Sequence, residues 1–315
     1  MAEVKKIATR EAYGMALAKF GDKYDIVVMD SDLSKSTKTD TFKKEFPDRF
    51  INCGIAEANM MSTAAGIASC GKTVFASTFA MFAAGRAFEQ VRNAICYPNL
   101  NVKIGATHAG ISVGEDGATH QSVEDIALMR AIPHMVVISP ADAVESIAAV
   151  EAAIKHNGPV YLRFGRLAVP VINDEATYKF EIGKGVLLKD GTDVTIIANG
   201  LMVPDALTAA DLLAEEGINA RVINIHTIKP IDEDIIVKAA KETGAIVTAE
   251  EHNIIGGLGS AVAEVLSEKC PTPMARVGIN DQFGKSGKPA QLLKDYGLTP
   301  ENIVAKTKEA IAKKK

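Results

Sequence analysis

Short apolar runs alternate with longer amphipathic stretches along the chain, the mark of strands alternating with helices in an α/β fold with a largely parallel sheet. In the first part, residues 26–29, 73–76, 102–106, 135–138 and 160–163 are mainly apolar, as parallel strands covered on both faces must be. Helical spacing predicts helices over 9–20, 55–69, 82–96, 122–131 and 143–156. The stretch from Pro170 to about Gly183 has neither period and reads as a linker. A second alternating unit follows, with strands expected at 194–198, 220–225, 245–249 and 275–278. Its helices are expected over 204–215, 233–243, 258–268 and 301–313. The pattern thus predicts two consecutive α/β domains, 1–183 (linker included) and 184–315, each a mainly parallel sheet flanked by helices. In the second, Asn199-Gly200 and Asn224 sit at the strand-to-loop edge where ligand sites of such sheets cluster.

Length and composition agree with this division. A chain of 315 residues exceeds one typical domain, and 47% apolar with 23% charged residues is ordinary for a globular protein with a sizeable core. The formal net charge of −4 argues against a nucleic-acid surface, and the basic tail Lys313-Lys314-Lys315 reads as a solvated helix end. Cys53, Cys70, Cys96 and Cys270 show no metal-ligand spacing, so reduced thiols are expected. No apolar run reaches about 18 residues, and Met-Ala-Glu-Val-Lys-Lys at the start lacks the apolar core of a signal peptide. No membrane association and a cytoplasmic location are the expectations.

Candidate chemistry begins at Glu57, an acid among Ile55, Ala56, Ala58, Met60 and Met61 at the head of a helix. A buried carboxylate is costly unless paired. With Gly54 as N-cap, Glu57 would fall at the third helical position and merely satisfy free backbone N–H groups. The alternative is a side chain aimed at a partner that needs an acid. Phe79 and Phe82, three apart, place two rings on one side of a turn, either as plain core or as a slot for a flat heteroaromatic ligand. Two phosphate-loop look-alikes fail: residues 278–286 have one residue too many, and Gly256-Gly257-Leu258-Gly259 better fits tight strand–helix packing.

The segment from Thr107 to Gln121 is richer. Gly110, Gly114 and Gly117 permit positive φ and a close approach of backbone to a ligand. His108 and His120 flank Asp116, and Ser122-Val123-Glu124-Asp125 reads as a capping box, so His120 should lie just ahead of a helix start. That position suits hydrogen bonding and proton transfer. His-x11-His with one carboxylate matches no metal-ligand spacing, so no metal site is expected in this chain.

Taken jointly, several motifs resemble the C-terminal half of transketolase over nearly the whole chain. They are Ile7-Ala8-Thr9-Arg10, the run from Asp30 to Ser36, Gly54-Ile55-Ala56-Glu57, Ser77-Thr78-Phe79-Ala80-Met81-Phe82, Gly114-Glu115-Asp116-Gly117-x-x-His120-Gln121, and Arg163-Phe164-Gly165-Arg166. The resemblance implies transfer of a two-carbon ketol unit between sugar phosphates with thiamine diphosphate. It implies that Glu57 binds N1′ of the cofactor's aminopyrimidine and that Phe79 and Phe82 form the pyrimidine pocket, with Asp32 near the cofactor. Gly85 stands where many relatives carry a third aromatic, and Phe88 is the nearest ring to compensate. His120 is implied to contact the donor's hydroxyl and carbonyl oxygens and assist proton transfer, and Asp116 to bond a substrate hydroxyl. Arg10, Ser36, His108 and Arg166 are implied to gather the sugar's phosphate, a role that suits guanidinium groups.

The family's Gly-Asp-Gly…Asn motif, which holds Mg²⁺ and the diphosphate, is missing from this sequence. The resemblance therefore implies a split transketolase in an α₂β₂ assembly, whose N-terminal partner subunit brings the metal and diphosphate site. The small-residue run from Ala64 to Ser69 would suit a close helix contact there. Rival readings are a 2-oxoacid dehydrogenase β-subunit, a deoxyxylulose-phosphate synthase-like chain, or a non-catalytic scaffold in which Glu57 only caps. The phosphate-gathering set and the spacing from His108 to His120 favour transketolase.

Overall fold

The computed structural model describes residues 5–314, so Met1–Val4 and Lys315 of the basic tail lie outside it. In chain order its strands are β1 Lys6–Ala8, β2 Ile26–Asp30, β3 Phe50–Asn52, β4 Thr73–Phe79, β5 Val102–Thr107, β6 Val136–Ile138 and β7 Val160–Arg163. They continue as β8 Ala168–Pro170, β9 Val186–Lys189, β10 Val194–Ala198, β11 Ala220–Asn224, β12 Thr227–Lys229, β13 Ile246–Asn253 and β14 Met274–Ile279. Two α/β layers result. The first sheet has the order β12-β6-β7-β5-β4-β2-β3 and the second β14-β13-β10-β11-β9, while β1 and β8 form a separate antiparallel pair. Each large sheet is parallel except for one antiparallel edge, β12 against β6 and β9 against β11.

Every residue of β5 and β7 is buried, which explains why those runs carry no polar alternation. The strands β1, β3, β8, β9 and β12, of three or four residues each, escaped the sequence pattern because such short pieces offer too few positions to show a period. Edge strand β12 is contributed from residues 227–229 to the first sheet, so the two halves of the chain interleave. Residues 171–185, between β8 and β9, form no regular element.

Two helix starts differ from expectation. Helix Glu57–Ser69 begins at Glu57 itself, with Ala56 as N-cap and no side-chain cap. Helix Asp125–Ala131 begins two residues later than the capping box required, with Glu124 rather than Ser122 as N-cap, and the Glu124 carboxylate accepts from Val123 N at 2.8 Å. The box fails because Asp125 is fully buried and pairs with Arg163 (Nε to Oδ2, 2.8 Å). Gly256-Gly257-Leu258-Gly259 is the tight turn its composition predicts. A Cβ at Gly257 would stand 2.0 Å from the Glu250 carboxylate, which accepts from the N–H groups of Leu258 and Gly259 at 2.6 and 2.8 Å. Of the small-residue run, Ala64, Ala65 and Ala68 turn into the chain's own core, and Gly66 and Ser69 stay exposed. The four cysteines are free, and no helix among the described residues is long and apolar enough to cross a membrane.

The halves are joined by buried charge. Arg163 contacts both Asp125 oxygens and donates to the backbone oxygen of Glu251 at 2.9 Å. Removing one member of a fully buried pair strands the other. Arg163→Ala is expected to lower unfolding free energy by about 3–5 kcal/mol in urea titrations, against near-zero loss for an exposed pair such as Lys44–Asp40. The irregular segment is tied down similarly. Glu145, fully buried, accepts from Tyr178 Oη, Asn224 Nδ2 and Ala141 N, and Asp142 accepts from Ile172 N and Asn173 N. Burial pushes the Glu145 carboxyl up from an ordinary 4.5 to about 7, against the pull of its donors. The folded chain then holds a proton that the unfolded chain has lost. Stability from this group is complete below pH 4.5 and declines as pH rises to about 7. Melting temperatures across that window should fall with pH in the wild type and flatten in Glu145→Gln.

Candidate functional site

Residues far apart in sequence meet because parallel strands deliver all their carboxyl ends to one edge. β2 ends at Asp30, β3 at Asn52, β4 at Phe79, β5 at Thr107 and β7 at Arg163, and β2, β4, β5 and β7 are mutual neighbours through β4 and β5. Phe79 is itself the last residue of β4, and every other candidate residue except Arg10 lies in the loop or helix that follows one of these ends. Arg10, at the head of helix Thr9–Gly21, is drawn in by a bond from its Nη1 to the Ser36 backbone oxygen (2.7 Å).

Glu57 is 2% exposed, and its carboxylate is paired: Arg86 Nη1 donates to Oε2 at 2.9 Å. Capping is therefore not its role here. Oε1 has no hydrogen-bond partner among the described residues. The Arg86 guanidinium also lies over the Phe82 ring, 4.5 Å from its centroid. Phe79 and Phe82 stack on each other with centroids 5.8 Å apart and planes 14° off parallel. A ring between them needs about 7 Å, two contact distances of about 3.5 Å, so the two rings do not form a slot between them. The outer face of Phe79 is already taken by His108 at 3.9 Å, leaving the Phe82 face under Arg86 as the open side.

At Gly85 a Cβ would stand 2.4 Å from Cε of Met81, the free end of a flexible side chain that can swing away, so packing alone does not exclude a side chain there. Phe88 is partly buried against the hydrophobic core, and Arg86 covers Phe82. The segment is wound as π turns over Phe82–Arg86 and Val91–Cys96, a form common at functional sites.

Cations converge beside the rings. Burial pushes the His108 imidazole down to about 3, with the nearby charges of Arg10, Arg166, His120 and Lys38 adding to the shift. His108 is thus neutral near pH 7 and offers a neutral ring to an anion that the two arginines attract. Arg166 donates to Val113 O and stands 3.5 Å from Glu115 and 3.9 Å from Asp116. Ser36 is half-buried close to Arg10.

His120 packs edge-on against Phe82, with centroids 5.4 Å apart, and its Nδ1 bonds Thr119 Oγ1 at 2.9 Å. It lies five residues ahead of the helix start at Asp125 rather than immediately before it. Asp32 is exposed at φ +62° and bonded to Asn52, whose side chain also receives Gly54 N, so it helps shape the turn into Glu57.

Gly110, Gly114 and Gly117 all adopt positive φ, as predicted. What approaches them is protein rather than open space. A Cβ at each would lie within 3 Å of Glu251, Pro289 and Ser286 respectively, all in the second half.

Sequence reasoning missed three contributors. Arg86 follows Phe82 by four positions, a spacing that puts side chains together on a helix and was the available signal. Lys38 joins the cation group through a left-handed residue at φ +70°. Asp30 shapes the loop after β2 by accepting from Leu33 N, Thr37 Oγ1 and Thr39 Oγ1 at 2.6 to 2.9 Å. No group of three or more His, Cys, Asp or Glu side chains suited to a metal occurs among the described residues.

Comparison with known proteins gives this arrangement a context. The pyrimidine-binding domain of transketolase matches residues 5–171, and the transketolase C-terminal domain matches residues 183–303. A Methanocaldococcus jannaschii protein, provisionally named a transketolase C-terminal section, is 54% identical over 309 residues, covering 96% of each chain. A 6-deoxy-6-sulfo-D-fructose transketolase subunit of a Clostridium species (strain MSTE9) is 44% identical over 306 residues, 97% of this chain and 95% of the relative. A solved structure described as a split-gene transketolase, an inactive β4 tetramer, superposes with a TM-score of 0.93 at 56% identity, over 98% of this chain and 100% of that one. The chain belongs to the transketolase family, as a homologue of the C-terminal subunit of split transketolases.

Proposed function

We propose that this chain is one subunit of a two-chain transketolase that moves a two-carbon ketol unit between phosphorylated sugars. Thiamine diphosphate would be held between it and an N-terminal partner subunit. The observation that carries the reading is Glu57, a buried carboxylate with one oxygen paired to Arg86 and the other without a partner, beside an aromatic face. These residues fit an aminopyrimidine: Glu57 Oε1 would accept or hold a proton of the ring, and Phe82 would offer it an apolar face in place of the Arg86 guanidinium. Thiamine diphosphate supplies a nucleophilic carbon and an electron sink for cleaving and rejoining the bond beside a ketose carbonyl.

The remaining steps belong to the chain's own side chains. Arg10, Arg166 and Ser36, with neutral His108, orient a terminal phosphate; Asp116 bonds a sugar hydroxyl. His120 presents an imidazole whose Nε2 has no partner among the described residues, ready to exchange a proton with substrate oxygen. Asp32 supports the turn before Glu57 on the cofactor side. The partner would bring Mg²⁺ and the diphosphate cradle in an α₂β₂ assembly, and the description of the similar split-gene β4 tetramer as inactive is in keeping with that. The exposed apolar side chains Ile51 and Ile55, at the mouth of the Glu57 site, are 38% and 79% exposed and suit burial under that partner. The natural sugar is narrowed only to phosphorylated or similarly anionic ketoses, since one close relative is named for a sulfonated substrate.

Two measurements test the reading. Chain and partner, mixed with thiamine diphosphate and Mg²⁺, should transfer ketol units from xylulose 5-phosphate to ribose 5-phosphate, with little activity from either alone. Glu57→Ala should reduce turnover by about 10²–10⁴-fold while the assembly still forms on a sizing column. Wild-type turnover in that variant would rule out the proposed chemistry. Arg86→Ala should leave the buried Glu57 without its partner and cost the isolated chain about 1–2 kcal/mol, a loss reduced because Arg86 is half-exposed. The same variant should bind thiamine diphosphate in the assembled pair at least as tightly as wild type, read by calorimetry.

A further inference from the structure

The second domain supplies none of the side chains in the proposed chemistry, yet the loop carrying His108, Asp116 and His120 is built against it. In the second sheet β10 lies between β11 and β13, so the chain reverses direction across β10 and β13, where open α/β sheets usually bind a ligand. Here the crevice is closed by the first domain: Ser139 and Pro140 line what remains of it with Gly200, Leu201 and Glu251. Strand β13 runs on past its last pairing with β10, at Ala249, and its next two residues are both buried acids. They alternate in direction, as strand residues do. Glu250 turns to the helix start at Leu258, and Glu251 turns to the loop of the other domain.

The Glu251 carboxylate is 4% exposed, and its Oε1 accepts from Ser112 N at 2.7 Å, across 139 positions of sequence. At Gly110, in the same turn, a Cβ would stand 2.2 Å from the Glu251 carboxyl carbon, so the carboxylate rests on bare backbone held at φ +81°. One residue beyond Ser112, the carbonyl of Val113 receives Arg166, the guanidinium that reaches towards Asp116. Glu251 is itself fixed from behind, because Arg163 donates to its backbone oxygen and pairs with Asp125. Burial raises the Glu251 carboxyl from its ordinary value, opposed by the charge of Arg163 and by Ser112 N. Protonated or not, it keeps an oxygen to accept from that N–H.

We propose that Glu251 is a positioning residue through which the second domain sets the substrate loop: it anchors Ser112, and thereby places Val113 O, Arg166 and Asp116 for the sugar phosphate. This rests on the transketolase reading given above. It assigns the second domain a part in substrate recognition rather than in cofactor binding.

The test uses the full-length chain, alone for hydrogen exchange and assembled with its partner for kinetics. In Glu251→Ala, amides 111–114 should exchange about 10- to 100-fold faster, the scale of one lost charge-assisted bond. KM for the ketose phosphate donor should rise about tenfold or more, with thiamine diphosphate affinity by calorimetry within about twofold of wild type. Glu251→Gln keeps a carbonyl oxygen for Ser112 N and should restore both readouts. Should the alanine variant fail to fold, Glu251→Asp keeps the charge but draws the carboxylate back, and the same rise in exchange and KM is expected. Wild-type exchange at 111–114, or unchanged donor KM beside uniformly faster exchange, would overturn the proposal. A wild-type pair inactive on every sugar phosphate would sink the transketolase reading instead, and exchange at 111–114 would still decide whether Glu251 holds the loop.

Discussion

Asp125, Arg163 and Glu251 are buried at the seam between the two sheets, and the placement of the site depends on how they satisfy one another. Ionised groups removed from water tolerate few geometries, because each lost contact leaves a charge in a medium of low polarisability. Arg163 closes that choice by holding a carboxylate of its own domain and a main-chain oxygen of the other. The relative position of the sheets is then tied to a strand end, β7, that also leads into Arg166.

A second constraint operates at Glu57. The apolar helix behind it leaves the carboxylate almost wholly buried, and it is paired by a cation that already has an aromatic face to lie on. In the function proposed above, Arg86 thus does for the isolated chain the two things assigned to a bound aminopyrimidine: it bonds the acid and covers Phe82. The arrangement keeps a costly group satisfied in the absence of ligand, with the exposed, mobile-stemmed partner being the one that can yield.

The loop from Thr107 to Gln121 shows how one pattern of glycines serves more than one purpose. Positive φ at Gly110, Gly114 and Gly117 is a backbone property and was readable from composition. Their bareness, however, answers to the second domain, whose Glu251, Ser286 and Pro289 press against them. Gln121 completes the join by donating to Ile111 O and Gly114 O within the loop and to Lys285 O across the seam.

The sequence by itself determined the α/β alternation, the longer strands and helices, and the residue types offered at the carboxyl edge, since periodicity and turn chemistry are local. Glu57, Phe79, Phe82 and the His108–His120 loop were legible for that reason. Only the tertiary structure decided what those side chains do to one another. The capping reading weighed at Glu57 and the capping box expected at residues 122–125 lost to ion pairs with Arg86 and Arg163, because a buried charge is satisfied by an opposite charge that the fold brings near. The short strands and the hold of Glu251 on Ser112 are likewise set by pairings up to 164 positions apart, which no local pattern encodes, and the mutual stacking of Phe79 and Phe82 is set by the fold around them.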